Sequence, residues 1–385
     1  MKLVDVIYFD AGGGHRAAAT ALQQVCEQQR RPFQLRPVHL KQILAPADVF
    51  RKVLGIDLEE IYNLMLRRGW TLGSTQGLRF MQAVIRLYHK TEVCLLREWW
   101  EGRSGTAAPD MVISVVPNFN RALFDAWQAV RPGAPYVTIL TDLADYPPAF
   151  WIERQPQHFI CGTERARQQG LAMGHPPERV RLASGMILHP RFYEPMALDR
   201  EEERIRLGLD PRTPTGLVLF GGYGSRAMET VLDSIDRTGL DVQHILIAGR
   251  NEALRARLDN RRTRIRKHVT GFTTEVPRWM RLSDFFVGKP GPGSISEALH
   301  CGLPVVTVRN AWTLPQERYN AEWITELGAG IALRSYRLAG DAVASLVRGG
   351  LLEPMRDAAS RIRNRAVFEI PGILEEILEG APGAS

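Results

Sequence analysis

The sequence predicts an α/β protein of two domains, each built around a parallel sheet. The chain of 385 residues is too long for one ordinary hydrophobic core, because a domain usually holds about 150 residues. Strand-like runs alternate with helical stretches, and this alternation is typical of parallel sheets. An apolar run followed by glycines and then a helix occurs at residues 3–28 and again from residue 217. These two similar halves indicate two domains.

The composition is that of a folded protein without a membrane-spanning segment. Apolar residues make up 45% of the chain and charged residues 24%, which excludes a disordered polypeptide. No stretch approaches the ~18 uninterrupted apolar residues of a transmembrane helix, and the first residues lack the pattern of a signal peptide. The four cysteines have neither metal-ligand spacing nor the density of a disulfide scaffold. We therefore expect a cytoplasmic protein.

Basic residues exceed acidic ones. The net charge of +7 and the isoelectric point near 9.4 favour nucleic acid, an anionic membrane surface or a phosphorylated small molecule as partner. The densest basic run, residues 261–268, has no accompanying nucleic-acid motif and reads as a solvated turn before a strand. We therefore expect no nucleic acid partner, and an anionic membrane surface stays a candidate.

The first half opens with a strand-like run, Leu3 to Phe9, which leads into three glycines and then His15. Neither the G-x-G-x-x-G spacing of dinucleotide sites nor a P-loop lysine accompanies these glycines. His15 stands at the start of a predicted helix, where the dipole disfavours a charged imidazole. A neutral imidazole can accept a proton from a hydroxyl group. The alternative, a histidine that only caps the helix, stays open.

Strand-like runs follow at residues 111–116, 136–140 and 158–161. Asp142 comes directly after the second of these runs, and open α/β sheets bind ligands at the carboxyl ends of their strands. Asp142 is therefore a candidate to orient a hydroxyl group or His15, although capping a turn is the commoner role of a loop aspartate.

Residues 45–103 are predicted to be helical and contain basic residues and tryptophans, Trp99 and Trp100 among them. This pattern fits helices that lie among lipid headgroups, and it fits equally helices that pack on the sheet.

Domain boundaries are predicted from the polar, strandless segment 193–210, which reads as a linker. It separates an N-terminal domain, residues 1–192, from a C-terminal domain, residues 211–365. We expect the last helix, within 366–385, to pack back on the first domain.

The second domain carries two glycine-rich turns after strand-like runs. Backbone N–H groups of the first turn, residues 221–225, could hold a diphosphate, and Phe272, at a later strand end, could flank a planar base. The second turn follows Val287, and a helix is predicted to begin at Ser294, which makes an anion site. Glu297, one turn into that helix, could accept hydrogen bonds from vicinal hydroxyls. A plain strand-to-helix turn is the alternative.

Taken together, these segments resemble the monogalactosyldiacylglycerol synthase family of glycosyltransferases (glycosyltransferase family 28). The glycines at 12–14 with His15, Ala18 and Ala19 are similar to its N-terminal signature. The other matching segments are Thr141 and Asp142 with Pro147 and Trp151, then Phe220 to Ser225, Gly271 and Phe272, Lys289 to Ala298 with Gly302 to Pro304, and Gln316 and Glu317 with Asn320. A more distant resemblance is to the N-acetylglucosaminyltransferase of peptidoglycan-precursor synthesis.

The resemblance implies a GT-B fold, in which two Rossmann-like domains with parallel sheets face a central cleft. It implies an inverting transfer of a hexose from a UDP-sugar to a lipid-like acceptor such as diacylglycerol. The implied donor-binding residues are Phe272 and Thr273 at the uracil, Glu297 at the ribose, Gly222, Gly224 and Ser225 at the diphosphate with the Ser294 helix start beside it, and Gln316, Glu317 and Asn320 at the sugar. Lys289 and Gly293 are also implied to bind the donor. The implied acceptor-binding residues are Gly13, Gly14, His15, Asp142 and Trp151. His15 would be the base and Asp142 its partner.

The Asp-x-Asp motif of metal-dependent glycosyltransferases does not occur in the sequence, so we expect neither a cofactor nor an obligatory metal ion. Three alternatives stay open. A UDP-sugar 2-epimerase of similar two-domain fold would share the donor site, a glycosyltransferase could act on a soluble acceptor, and a non-catalytic sensor would bind the UDP-sugar without turnover.

Overall fold

A computed structural model describes residues 1–10, 13–45, 74–102 and 107–380 of the chain. The described residues form two compact units. The first contains those up to residue 190 together with residues 364–380, and the second contains residues 191–363. Each unit is built on a six-stranded sheet in which the paired strands are parallel. Both units are therefore α/β, as the sequence predicts.

The strands of the first unit are β1 (Lys2–Tyr8), β2 (Phe33–His39), β3 (Met111–Ser114), β4 (Tyr136–Ile139), β5 (His158–Cys161) and β6 (Val180–Leu182). Their order in the sheet is β2-β1-β3-β4-β5-β6. The helices that connect them are α1 (Gly14–Gln28), α2 (Leu40–Leu44), α3 (Ser74–Trp100), α4 (Asn120–Val130) and α5 (Glu164–Ala172). The four strands predicted in this half lie within two residues of their observed bounds.

Strand β2 is absent from the sequence prediction because it contains Pro37, which cannot donate a hydrogen bond. The strand lies at the edge of the sheet and pairs only with β1. Proline is tolerated there because one side of an edge strand needs no ladder partner.

The strands of the second unit are β7 (Thr215–Leu219), β8 (Gln243–Ile247), β9 (Arg266–Thr270), β10 (Phe285–Gly288), β11 (Val305–Val308) and β12 (Gly330–Leu333). Their order in the sheet is β12-β11-β10-β7-β8-β9. The helices are α6 (Arg200–Arg206), α7 (Ala227–Asp236), α8 (Glu252–Asn260), α9 (Val276–Arg281), α10 (Pro292–His300), α11 (Arg318–Glu326), α12 (Ala339–Val347) and α13 (Leu352–Ser360).

The last helix, α14 (Ala366–Glu379), belongs to the first unit. Ile370 and Leu374 are buried in the same cluster as the β1 side chains Val4 and Val6. The ammonium group of Lys2 donates to the carbonyl of Leu378 at 3.1 Å. The chain thus returns from the second sheet to complete the core of the first.

Residues 193–210, read from the sequence as a linker, lie in the second unit, where residues 200–206 form α6. Arg204 on this helix is buried, and its guanidinium donates to the carbonyls of Leu282 and Pro211 and to the carboxylate of Asp284. The helix is therefore docked onto the second unit through a buried arginine.

The tryptophans at the end of α3 pack in the core of the first unit. Trp100 is buried and meets the ring of Trp127 edge-on, with 5.5 Å between centroids. Trp99 packs against the same cluster. Of the two interpretations of this helix, packing on the sheet therefore holds for both tryptophans. No helix among the described residues is long and apolar enough to span a bilayer.

Candidate active site

His15 lies in the first turn of α1, and Gly13 caps the helix with φ at 80°, a backbone conformation that glycine adopts without strain. The Nδ1 atom of His15 is 3.0 Å from the hydroxyl oxygen of Thr141. Burial lowers the pKa of His15 to about 4, and a hydrogen bond with the Val115 carbonyl opposes this shift. The imidazole is therefore neutral at pH 7, and burial is the main cause, where the sequence pointed to the helix dipole.

Asp142 is buried and binds a tryptophan. Its Oδ2 accepts a hydrogen bond of 2.9 Å from the indole N–H of Trp151, whose side chain is fully buried. The ring of Trp151 lies 6.0 Å from that of His15, centroid to centroid. The structure thus brings His15, Thr141, Asp142 and Trp151 into one cluster. Thr141 makes the hydrogen bond at Nδ1, and Asp142 fixes Trp151.

The sequence analysis did not single out Asp145, which organises the loop that presents Trp151. Its carboxylate accepts from the backbone N–H groups of Ala149, Phe150 and Trp151 at 3.0, 3.0 and 2.7 Å. Burial raises the pKa of Asp145 to about 6, although these backbone bonds oppose the rise. An aspartate directly before a Tyr-Pro-Pro turn is the sequence signal for this role.

Gly13 and Gly14 border open space. A Cβ atom built on either residue would meet no described atom within 4 Å. The backbone beside His15 can therefore be approached closely by a ligand, which fits the acceptor-side assignment of both glycines.

In the second unit, the glycine loop after β7 is interlocked with the loop after β8. A Cβ atom on Gly224 would lie 2.5 Å from the carbonyl oxygen of Ala248, and one on Gly249 would lie 2.3 Å from that of Gly222. The N–H of Arg250 donates to the carbonyl of Gly222 at 2.8 Å. These contacts admit only glycine and fix the shape of the loop.

Three further donor-site candidates have contrasting surroundings. Ser225 accepts from the N–H of Ala227 at 3.2 Å, at the start of α7. Phe272, after β9, is 52% exposed, whereas the hydroxyl of Thr273 accepts from Glu275 N–H and Trp279 Nε1 at 2.9 and 3.3 Å. The Phe272 side chain is therefore partly exposed to solvent, and the Thr273 hydroxyl serves the local turn.

Helix α10 begins at Pro292, two residues before the predicted start at Ser294. The prediction was wrong because proline lacks an N–H group and has a fixed φ, which suits the first position of a helix. Gly291 is the cap, and the first intrahelical bond runs from Ile295 N–H to the Gly291 carbonyl. The N–H groups of Gly293 and Ser294 therefore lie in the first turn, before that bond.

Side chains from three elements hold the turn at 288–291 in place. The Gly288 carbonyl accepts from the Thr307 hydroxyl at 2.8 Å and from the Tyr336 hydroxyl at 2.9 Å. Asn320, predicted to face the sugar, is fully buried and donates from Nδ2 to the Pro290 carbonyl at 2.7 Å. Its amide therefore anchors the turn.

Lys289 and Glu317, both predicted donor-site residues, form an ion pair with 3.1 Å between Nζ and Oε1. Glu317 and Gln316 are buried in the single 3-10 turn that precedes α11. The turn after β10 and the turn after β11 are therefore joined by a charged contact and by the Asn320 hydrogen bond.

Glu297 lies half-buried on α10, and burial raises the pKa of its carboxyl group to about 7. The group therefore changes charge near neutral pH. Within the described ranges, no cluster of three or more His, Cys, Asp or Glu side chains is arranged to hold a metal ion.

Arg250, in the loop after β8, also contacts a donor-site candidate. The guanidinium group of Arg250 lies over the ring of Phe272, with Cζ 4.4 Å from the ring centroid. The sequence analysis did not assign Arg250, and the signal for it is an arginine directly after the glycine in the loop that follows β8.

Known proteins resemble this chain in both units. Residues 217–377 match the glycosyltransferase family 28 C-terminal domain. The chain is 29% identical over 361 residues to the probable monogalactosyldiacylglycerol synthase 2, chloroplastic, of Oryza sativa subsp. japonica, an alignment that covers 89% of this chain and 73% of the relative. The resemblance drawn from the sequence is thereby confirmed.

Solved structures confirm the fold. The chain is similar to the crystal structure of Acinetobacter baumannii MurG, with a TM-score of 0.60 and 13% identity over 98% of this chain and 100% of that one. It is also similar to S. aureus MnaA bound to UDP, with a TM-score of 0.63 and 14% identity over 98% and 97% of the two chains. The architecture is GT-B. On this fold, the match of residues 217–377 and the similarity to the synthase show that the chain is a UDP-sugar-dependent glycosyltransferase.

Proposed function

We propose that the chain transfers a hexose from a UDP-sugar to the hydroxyl of a lipid-like acceptor such as diacylglycerol, with inversion and with His15 as the base. The observation that carries this proposal is the similarity to a monogalactosyldiacylglycerol synthase over 89% of the chain, because it includes residues of both units. The name of that relative describes a galactosylated diacylglycerol as its product, and transfer of a hexose to diacylglycerol is proposed here.

The order of the loops along the second sheet supports the donor site. Phe272 follows β9, the glycine loop follows β7, and the turns at Lys289 and Gln316 follow β10 and β11. In the sheet order β9-β8-β7-β10-β11, strands lie about 4.8 Å apart, so the loops after β9 and β11 are separated by roughly 19 Å. A UDP-sugar runs from base through diphosphate to sugar over a comparable length. We assign uracil to Phe272, the diphosphate to the glycine loop and the α10 start, and the sugar to Gln316 and Glu317.

Proton transfer is assigned to His15. The acceptor oxygen forms a bond to the anomeric carbon while the bond to the diphosphate oxygen breaks, and the hydroxyl proton passes to the neutral imidazole. Such a base contributes on the order of 10² to 10⁴ in rate. The low pKa of about 4 makes His15 a weak base, so the proton moves only after the attacking oxygen has become acidic.

The charge that develops on the leaving diphosphate is proposed to be stabilised by backbone N–H groups of the chain itself. The N–H groups of Gly293 and Ser294 lie at the positive end of α10, and the glycine loop adds further N–H groups in a fixed geometry. We propose that no metal ion is obligatory. Turnover that survives dialysis against EDTA supports this, and turnover restored only by added Mg²⁺ or Mn²⁺ contradicts it.

Contact with an anionic membrane surface is assigned to α3. Arg86, Leu87 and Lys90 lie on its exposed side, and Leu87 is 77% exposed. Basic side chains around an exposed leucine suit a headgroup layer. The double variant Leu87→Asp, Lys90→Glu is expected to bind anionic vesicles more weakly in a sedimentation assay. The control is Ile205→Asp, a substitution of an exposed residue in the second unit. Equal binding of both variants would contradict the assignment.

The central experiment is a donor screen that measures UDP release with and without diacylglycerol. We expect release from one UDP-hexose that depends on diacylglycerol, and its loss by about 10² or more in His15→Ala with UDP affinity preserved. Epimerised free sugar without any acceptor would favour the 2-epimerase alternative. Release driven by a soluble alcohol and not by diacylglycerol would overturn the lipid acceptor.

A further inference from the structure

The Thr141 hydroxyl lies 3.0 Å from Nδ1 of His15, although the two residues are 126 positions apart in the chain. Thr141 follows β4, His15 begins the helix after β1, and β3 lies between these strands in the sheet. The imidazole therefore reaches across the end of β3, where it also hydrogen-bonds to the Val115 carbonyl. The ring is therefore held by the loops after β3 and β4 as well as by its own loop.

The position of one hydrogen decides what His15 can do. A neutral imidazole has a single N–H, and only the other nitrogen can accept a proton. Both a hydroxyl and a carbonyl oxygen can accept from that N–H, but only the hydroxyl can also donate. Two arrangements are therefore available, with the hydrogen on Nδ1 facing Thr141 or on Nε2.

We propose that Thr141 is a positioning residue for the transfer reaction: its Oγ1 accepts the Nδ1 hydrogen of His15, which leaves Nε2 free to take the proton of the acceptor hydroxyl. This inference rests on the proposed role of His15 as the base. As the acceptor oxygen bonds to the anomeric carbon and UDP departs with the electron pair of the broken bond, Nε2 gains the proton. The Nδ1–H···Oγ1 bond persists and stabilises the imidazolium, which later loses its proton to solvent.

Neighbouring residues support a fixed ring. Trp151 lies beside the imidazole at 6.0 Å between centroids and is itself held by Asp142 through its indole N–H and by Asp145 through its backbone N–H. These contacts restrict the rotation of the ring but do not choose its tautomer. The oxygen atoms that meet the ring nitrogens decide the tautomer. Thr141 supplies one at Nδ1, and the Val115 carbonyl, which can only accept, favours a hydrogen on the nitrogen that it meets.

The test compares Thr141→Val, which keeps the branched shape without the hydroxyl, with Thr141→Ser, which keeps the hydroxyl. We expect Thr141→Val to lower kcat roughly tenfold or more, within the contribution of a general base, while UDP affinity and the thermal midpoint stay close to wild type. Thr141→Ser is expected to recover most of kcat. In ¹⁵N NMR of labelled histidines, with the His15 signal assigned from a His15→Gln variant, wild type is expected to show hydrogen on Nδ1.

Several results would overturn the proposal. Wild-type turnover in Thr141→Val would do so, as would a loss of UDP affinity or thermal stability as large as the loss of kcat, which indicates a structural role. Hydrogen on Nε2, with Thr141 donating to Nδ1, would also contradict it. His15→Gln in the same assay separates the inference about Thr141 from the assignment of His15 as the base. If His15→Gln is inactive while Thr141→Val has normal turnover, only the Thr141 inference fails. If His15→Gln retains turnover, the base assignment itself fails.

Discussion

Arg250 and Phe272 are stacked, with the guanidinium carbon 4.4 Å from the ring centroid, and Arg250 is also tied by its backbone N–H to the carbonyl of Gly222. One residue therefore connects the exposed ring proposed to carry uracil with the loop proposed to hold the diphosphate. A guanidinium that stacks on one face of a ring still presents its N–H groups at its edges, so Arg250 can order Phe272 and bind the donor at once.

Replacing Arg250 is therefore expected to weaken donor binding. Arg250→Ala should raise the Kd for UDP about tenfold, because a cation–π contact and a charge near the diphosphate are lost together. Arg250→Lys should fall between, since lysine keeps the charge but not the planar stack. Calorimetric titration with UDP checks this. Arg237→Ala, which removes an exposed charge at the end of α7, is the control and should bind as wild type; equal Kd values for all variants would exclude Arg250.

The ion pair between Lys289 and Glu317 predicts a coupled effect on the sugar end of the donor. Glu317→Gln should weaken UDP-sugar binding about tenfold through a lost charged hydrogen bond and leave UDP binding nearly unchanged. Lys289→Met should show the same preference, and the double variant should lose less than the two single losses combined, because the side chains are in contact at 3.1 Å. Binding titrations with UDP and UDP-sugar measure both. Additive losses, or equal losses for the two ligands, would contradict this.

Glu297 predicts a pH dependence of donor binding. Burial raises the pKa of its carboxyl group to about 7, so the group is protonated below that value and loses its capacity to accept from both ribose hydroxyls. UDP affinity is therefore expected to rise between pH 6 and pH 8. The terminal phosphate of UDP also titrates near pH 6, so the useful quantity is the difference between wild type and Glu297→Gln. Parallel pH profiles for the two proteins would rule out the ribose role.

Asp284 predicts a stability effect in the second unit. Burial alone would raise its pKa, but the charges of Arg204 and Arg200 and the N–H of Thr215 hold the pKa below its ordinary value. Its ionised form therefore stabilises the fold above about pH 4, and this contribution is lost as the pH falls through the depressed pKa. Asp284→Asn is expected to lower the free energy of unfolding by about 3 kcal/mol at pH 7, because buried Arg204 loses its charged partner.

Urea denaturation of the full chain measures this effect. The control is Glu353→Gln, which breaks an exposed ion pair with Arg356 and should cost less than about 1 kcal/mol. A midpoint for Asp284→Asn that matches the control would show that the buried carboxylate contributes little.

Much of the fold follows from local pattern. Fully buried runs such as Gln243–Ile247 read as strands because both faces of a parallel sheet are covered. The prediction failed where a local rule depends on a neighbour. Strand β2 carries Pro37 and is tolerated only because it lies at an edge. Helix α10 begins at Pro292 because its first N–H would have had no partner in any case.

The candidate site was predictable in outline and not in its contacts. Glycine turns and polar residues after strands indicated where ligands approach, because the carboxyl ends of parallel strands meet at one edge. Asn320 illustrates the limit: its residue type fits a sugar ligand, but in the fold its amide holds the Pro290 carbonyl. Arg250 illustrates the converse, since only the packing of two loops places it on Phe272.

The sequence by itself determined that this protein has two α/β units with glycine-rich turns at strand ends and a histidine at the first helix, because these features depend on residues near one another in the chain. The tertiary structure alone decided that His15 meets Thr141, that Asp142 binds Trp151 and that Lys289 pairs with Glu317. Such partners come from loops that become neighbours through the order of strands in each sheet, and local patterns do not encode that order.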